Sequence, residues 1–160
     1  MEDVAISISI KPTWSIVKEI KEKANRFMEE KGAHKDIKEA TIMCATELIE
    51  NAVKYGTEKP GGGNIEFDLS IDNDNIIIKI SNGIKAKHDI DSVIEHIDKL
   101  KESTDPAKLY TERLMELMEN PKPGVSQLGL YRIAYEGDFS LDYKYDNKIL
   151  TVIAERKFIN

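Results

Sequence analysis

The stretch Ala45-Thr46-Glu47-Leu48-Ile49-Glu50-Asn51-Ala52-Val53-Lys54-Tyr55-Gly56 is predicted to form the end of a helix that closes at a glycine. Successive residues advance by about 100° around a helix, so Glu47, Asn51 and Lys54 fall within roughly 60° of one another. The opposite face is suited to burial, since it carries Ala45, Leu48, Ile49, Ala52 and Val53. An acid, an amide and a cation are therefore predicted to project together from an anchored helix. The alternative is an ordinary solvated face, against which Asn51 argues because asparagine is a poor helix former.

Composition indicates one ordinary globular domain spanning residues 1–160. With 41% hydrophobic and 32% charged residues, the chain is long enough to build a full core. A net charge of −6 argues against nucleic acid as a partner, because phosphate binding needs clustered Lys and Arg. No apolar run approaches the roughly 20 residues of a membrane span. Cys44 is the single cysteine, which excludes an internal disulfide and predicts a buried packing residue. These features favour the cytoplasm.

Hydrophobic alternation predicts about five strands, most of them paired as hairpins. The strands are expected over 4–10, 65–71, 76–80, 139–145 and 149–154, with turns at Asp72–Asn75 and Asp146–Lys148. Calcium binding at the first turn is disfavoured because the glycine and glutamate of a calcium loop are missing. Amphipathic helices are expected from Trp14 to Gly32 and from Lys35 to Tyr55. The pattern predicts an α/β two-layer sandwich, with helices on one face of a mixed, largely antiparallel sheet.

Two further segments are expected to carry function. Residues 84–125 form a long, charged, helical excursion between strands, with a second helix starting at Asp105-Pro106. Such insertions serve more often as lids or partner surfaces than as core. Next, residues 124–130 lead into a short helix that ends near Tyr135. A glycine-containing loop before a helix N-terminus offers unpaired N–H groups to an anion.

The order of these features resembles the GHKL ATP-binding fold, also called the histidine-kinase-like ATPase fold. The resemblance rests on Glu47-x-x-x-Asn51 on a helix, a hairpin ending at Ser81-Asn82-Gly83, the long excursion, and a glycine loop before a helix and a closing hairpin. It covers roughly residues 35–158. At this length the chain looks most like the stand-alone anti-sigma-factor serine kinases of bacterial partner-switching systems. A histidine kinase is a poorer match, because no dimerisation hairpin precedes the ATP-binding part.

The resemblance implies roles for the three polar residues of the helix. Asn51 matches the asparagine whose amide oxygen coordinates the magnesium that bridges the ATP phosphates. Glu47 matches the general base that activates the attacking hydroxyl. Lys54 matches a basic position that steadies phosphate charge. The implied cofactors are ATP and Mg, and the implied partner is a small antagonist protein phosphorylated on Ser or Thr. A homodimer through residues 4–27 is implied as well.

The two glycine motifs of the family also map onto this sequence, with departures. Gly83 matches the central glycine of the adenine-side turn, and Gly129 matches a glycine of the phosphate-side loop. The nucleotide site is accordingly expected to include Ser81, Asn82, Gly83, Gly124, Gln127, Leu128 and Gly129. However, Ser81 replaces the aspartate that bonds the adenine amino group, Lys85 replaces the second adenine-side glycine, and Gln127 replaces a glycine. Losing a charged hydrogen bond costs about 1.5–3 kcal/mol. These changes keep open an alternative function, a degenerate protein-binding module with weak or no ATP binding.

Overall fold

The computed structural model describes residues 6–11, 14–57, 64–84, 86–121 and 128–159, and for residues 10 and 57 the backbone alone. Five helices and six strands lie within these ranges. In chain order they are β1 (Ile6–Ile10), α1 (Ile16–Glu30), α2 (Lys35–Tyr55), β2 (Gly56–Thr57), β3 (Ile65–Asp72), β4 (Asn75–Ile84), α3 (Lys87–Glu102), α4 (Pro106–Glu119), α5 (Leu128–Tyr135), β5 (Ser140–Asp146) and β6 (Ile149–Lys157).

The strands form one sheet with the order β1-β3-β4-β6-β5, and the short β2 pairs with the end of β4. Every pairing between described strands is antiparallel. Both predicted hairpin turns are present, and both central residues of each have a positive φ: Asn73 and Asp74 in the first, Asn147 and Lys148 in the second. Two such residues suit the twist of paired strands, which explains the tight connections.

The helices cover one face of this sheet. Side chains alternate along β4, so that Ile76, Ile78 and Ile80 are buried whereas Lys79 is exposed. The inward residues of the sheet form one apolar core with the buried residues of α1, α2, α3 and α5. The predicted two-layer α/β sandwich is therefore confirmed, and the sheet expected to be largely antiparallel is antiparallel throughout its described pairings.

Helix α2 is the central helix of this layer. Its predicted apolar face is buried at Ala45, Leu48, Ile49 and Ala52. The helix ends at Tyr55, as predicted, but Gly56 is extended, with φ −84° and ψ 164°, rather than left-handed. A Cβ atom on Gly56 would overlap the Ala52 carbonyl oxygen and the Asn82 side chain. Glycine is required there because α2 and β4 approach each other closely.

Cys44 lies on the core-facing side of this helix and is fully buried, as predicted. Burial, and secondarily the negative charge of Glu47, raise the pKa of the Cys44 thiol well above its ordinary value. Because the thiolate is the reactive form, we expect a thiol reagent at pH 8 to label Cys44 only slowly in the native protein and rapidly in denaturant. Absorbance of the released chromophore of a disulfide reagent measures both rates. Equal rates would contradict the buried placement.

The excursion between β4 and α5 contains α3 and α4. Asp105 caps α4 by accepting a hydrogen bond from the Lys108 backbone N–H at 3.1 Å, and Pro106 occupies the first turn, as predicted. Helix α4 has no buried residue, and Met118 is 73% exposed. Among the described helices none is both long enough and apolar enough to cross a membrane.

Candidate functional site

The polar residues of α2 have three different surroundings. Glu47 is largely enclosed, since only 17% of its side chain is exposed where it pairs with Arg132. Asn51, one turn later, is half-buried. Lys54 is exposed, with its Nζ atom 5.1 Å from the centroid of the Tyr55 ring. The predicted common helix face is present, but the three side chains do not converge on one described cavity.

The carboxylate of Glu47 is held by the arginine of α5. Nη1 of Arg132 donates a hydrogen bond to Oε1 of Glu47 at 2.8 Å, and its Nε donates to Oε2 of Glu136 at 2.9 Å. Arg132 had no assigned role in the sequence interpretation. No local sequence pattern predicts that Arg132 pairs with Glu47, because the two residues are 85 positions apart in the chain.

The second oxygen of Glu47 lies against Gly129, the second residue of α5. A Cβ atom on Gly129 would overlap Oε2 of Glu47 and lie 3.0 Å from its carboxyl carbon. The absence of a side chain on Gly129 is therefore what lets the carboxylate reach α5. Gly129 and Glu47 were both predicted as site residues, and the structure places them in contact.

The electrostatic surroundings of Glu47 oppose its ionisation. Burial raises the pKa of Glu47, the positive charge of Arg132 partly offsets that effect, and the charges of Glu50 and Glu136 raise it further. A carboxyl group whose pKa is raised is a better proton acceptor once ionised, which suits a general base. Such perturbed groups are concentrated at functional sites, although ion-pair networks perturb pKa values as well.

Asn51 lines a small cavity one turn further along α2 than Glu47. The cavity has a volume of about 30 Å³ and is lined by Asn51, Asn82 and apolar side chains of α2, α3, α5, β4 and β6. That volume holds about one water molecule, whereas small-molecule sites measure roughly 300–1,000 Å³. Among the described residues none hydrogen-bonds the Asn51 amide, so its oxygen can serve as a hard metal ligand. A nucleotide base is larger than this cavity as the described residues line it.

The adenine-side motif divides between the two faces of the sheet. Asn82 points to the small cavity, is only 4% exposed, and donates from Nδ2 to the Gly83 carbonyl at 2.9 Å. Ser81 lies on the opposite face by strand alternation and shares a 2.7 Å hydrogen bond with Thr151. Gly83 pairs with Thr57 and Ile149 inside the sheet. The expected break in the strand at 81–83 is therefore wrong, because β4 continues to Ile84.

The phosphate-side loop is described only where it enters α5. Leu128 begins that helix and is partly buried, and Gly129 follows it. Gly124, Gln127 and Lys85 lie outside the described residues. No three His, Cys, Asp or Glu side chains within the described ranges are grouped closely enough to hold a metal ion. A magnesium ion at Asn51 would therefore depend on oxygens from a bound phosphate and water for its remaining ligands.

A solved structure shares this fold. No protein-family model matches the sequence, and no curated protein matches it. A chain in the crystal structure of the SiaB–SiaC complex from Pseudomonas aeruginosa superimposes with a TM-score of 0.68 at 16% identity, covering 97% of this chain and 89% of that one. This likeness extends over nearly the whole chain and supports the α/β sandwich described above.

Proposed function

We propose that this protein binds a small partner protein and phosphorylates a serine or threonine of it, using Mg-ATP. One observation carries the proposal: α5 holds the carboxylate of Glu47 through Arg132 and against Gly129, one helical turn before Asn51. A base and a hard oxygen ligand on adjacent turns of one rigid helix are what phosphoryl transfer to a hydroxyl requires.

The roles of the residues follow from their chemistry. Glu47 accepts the proton of the partner's hydroxyl as that oxygen bonds to the γ-phosphorus and the bond to the ADP oxygen breaks. Asn51 contributes a ligand to magnesium. Mg-ATP, when bound, would supply the phosphoryl group, and its magnesium would neutralise developing charge. Lys54, exposed on the same helix face, adds positive charge near the phosphates.

A protein partner is supported by two independent facts. The similar solved chain was crystallised in a two-protein complex, that of SiaB with SiaC. The excursion of this chain presents α4, whose Met115 and Met118 are 54% and 73% exposed. Exposed methionines adapt to the shape of a partner, which suits a docking surface. A homodimer through β1 and α1 is part of the same proposal, on the family resemblance alone.

A second candidate function is a partner-binding module that does not use nucleotide. It is favoured by the volume of about 30 Å³ at Asn51 and Asn82, which has no room for adenine. The placement of Ser81 on the far face of the sheet favours it too, because that hydroxyl cannot replace the family's aspartate from there.

Calorimetric titration with ATP, in magnesium and in EDTA, separates the two functions. For the kinase we expect binding that is strengthened by magnesium, and we expect Asn51→Ala to lose most of that strengthening, about tenfold or more in Kd. Asn25→Ala is the matched control, since Asn25 lies on α1 and contacts Glu29 at the surface. If neither condition gives heat of binding while the protein still binds its partner, the nucleotide-free module is the correct function.

A further inference from the structure

The side chain of Arg132 connects two carboxylates, one on α2 and one in the turn that follows α5. The Arg132 side chain is 38% exposed, whereas that of Glu47 on α2 is 17% exposed and that of Glu136, just after α5, is 42% exposed. Glu136 lies four positions after Arg132, in the turn that directly follows α5, so this pair orients the guanidinium towards the C-terminal end of that helix. The inner hydrogen bond then joins α5 to α2 at the most enclosed of the three groups.

The Glu47 carboxylate is fixed from two directions by the same helix. Gly129 limits the position of Oε2 by close contact, and Arg132 binds Oε1 at 2.8 Å one turn further on. The flexible glutamate side chain is thereby restrained at both oxygens, which favours one rotamer. Removing Arg132 releases one oxygen but leaves the contact with Gly129.

Two neighbouring carboxylates act on Glu47 in the direction opposite to Arg132. Glu50 on α2 and Glu136, in the turn after α5, disfavour its ionisation. On the open side, a surface cavity of about 290 Å³ is bounded by Lys21 of α1 and Glu39 of α2 together with Glu47 and Arg132. Arg132 contributes the largest effect that favours the charged form, against the effect of burial.

We propose that Arg132 is a positioning residue, which keeps the Glu47 carboxylate charged and aimed beside Gly129. The part that concerns reactivity rests on the proposed kinase function, whereas the part that concerns charge and orientation does not. Arg132 contacts Glu47 and Glu136 and is assigned no contact with substrate.

The first test measures the carboxylate directly. Carbon-detected NMR on protein labelled at the glutamate carboxyls, with Glu47→Gln to identify the resonance, gives the titration of Glu47 without any substrate. We expect its midpoint to move to higher pH in Arg132→Met and to return towards the wild-type value in Arg132→Lys. Glu136→Gln is the control, because it removes a negative charge near Glu47 and retains Arg132. In that variant the Glu47 midpoint should move to lower pH or stay unchanged. An unchanged midpoint in Arg132→Met would overturn the proposal.

The second test follows phosphotransfer in the same variants. We expect Arg132→Met to lose about a hundredfold in rate at pH 7, as expected for a misplaced catalytic group, with the acidic limb of its pH profile shifted upward and partial rescue by Arg132→Lys. If the wild-type protein transfers no phosphate, the kinase function fails while the titration still decides the role of Arg132. Circular dichroism checks folding, and Arg132→Gln serves as the neutral variant if Arg132→Met does not fold. A titration shift without any change in rate would overturn the positioning role.

Discussion

Glu47→Gln is expected to reduce phosphotransfer by about 10²–10⁴-fold while leaving the affinity for Mg-ATP within about threefold. Glutamine preserves the shape of the side chain, and its oxygen can still accept the hydrogen bond from Arg132 that Glu47 accepts at 2.8 Å. It cannot accept a proton at neutral pH. The change therefore removes the proposed base while leaving intact Asn51, which is the proposed metal ligand. Single-turnover transfer from radiolabelled ATP to the partner, beside calorimetry with ATP, measures both quantities.

Glu50→Gln provides the matched control for this experiment. Glu50 lies on the same helix, three positions from Glu47, is half-buried, and bears on Glu47 only through its charge. The same isosteric change there should leave transfer within about threefold of wild type, because the control removes charge but no proposed base. Labelling of the partner at an undiminished rate by Glu47→Gln would show that another group accepts the proton.

The stability of Glu47→Gln gives a readout that is independent of any substrate. Burial raises the pKa of Glu47 in the folded protein. A carboxyl group with a raised folded-state pKa favours folding while it is protonated, below its unfolded value of about 4.3. That contribution is lost as pH rises through the folded-state pKa. Since glutamine does not titrate, the unfolding free energy of the variant minus that of wild type should increase from pH 4 to pH 7.

Local periodicity predicted most of the fold because the elements obey it closely. Helix α2 runs from Lys35 to Tyr55 as expected, and the turn at Asn147 and Lys148 joins β5 to β6 as a hairpin. The alternation of buried and outward-facing side chains in Ile76–Ile80 also predicts the orientation of the residues that follow. Continued by two positions, it places Ser81 outward and Asn82 inward, as the structure has them. A break assumed at Gly83 obscured this.

The candidate site was predictable only where its residues share one element. Glu47 and Asn51 lie on adjacent turns of α2, so helical geometry alone places them together. The pairing of Glu47 with Arg132 depends on how α5 docks on α2, which no local pattern encodes. The narrowness of the cavity at Asn51 likewise depends on side chains from five elements packing together. Tertiary packing therefore determined both the partner of the proposed base and the space beside the proposed metal ligand.

Gly56→Ala, at the junction between α2 and β4, is expected to lower the free energy of unfolding by about 3 kcal/mol. The Gly56 N–H donates to the Ala52 carbonyl, and an added Cβ would overlap that oxygen and the Nδ2 atom of Asn82. The carbonyl belongs to the last turn of α2 and cannot move without breaking that turn. Displacing Asn82 instead would break its 2.9 Å hydrogen bond to the Gly83 carbonyl in the interior.

Gly32→Ala is the matched comparison for Gly56→Ala, because it separates backbone strain from crowding. Gly32 follows α1 with a φ of +71°, and no heavy atom of the described residues lies within 4 Å of its Cβ position. Its substitution should cost about 1 kcal/mol from the left-handed backbone alone. Urea denaturation followed by circular dichroism measures both free energies. Because α2 and β4 approach each other closely, Gly56→Ala should lower the free energy of unfolding more than Gly32→Ala does. An equal loss of stability in the two variants, or a larger loss in Gly32→Ala, would contradict the packing of Asn82 against the end of α2.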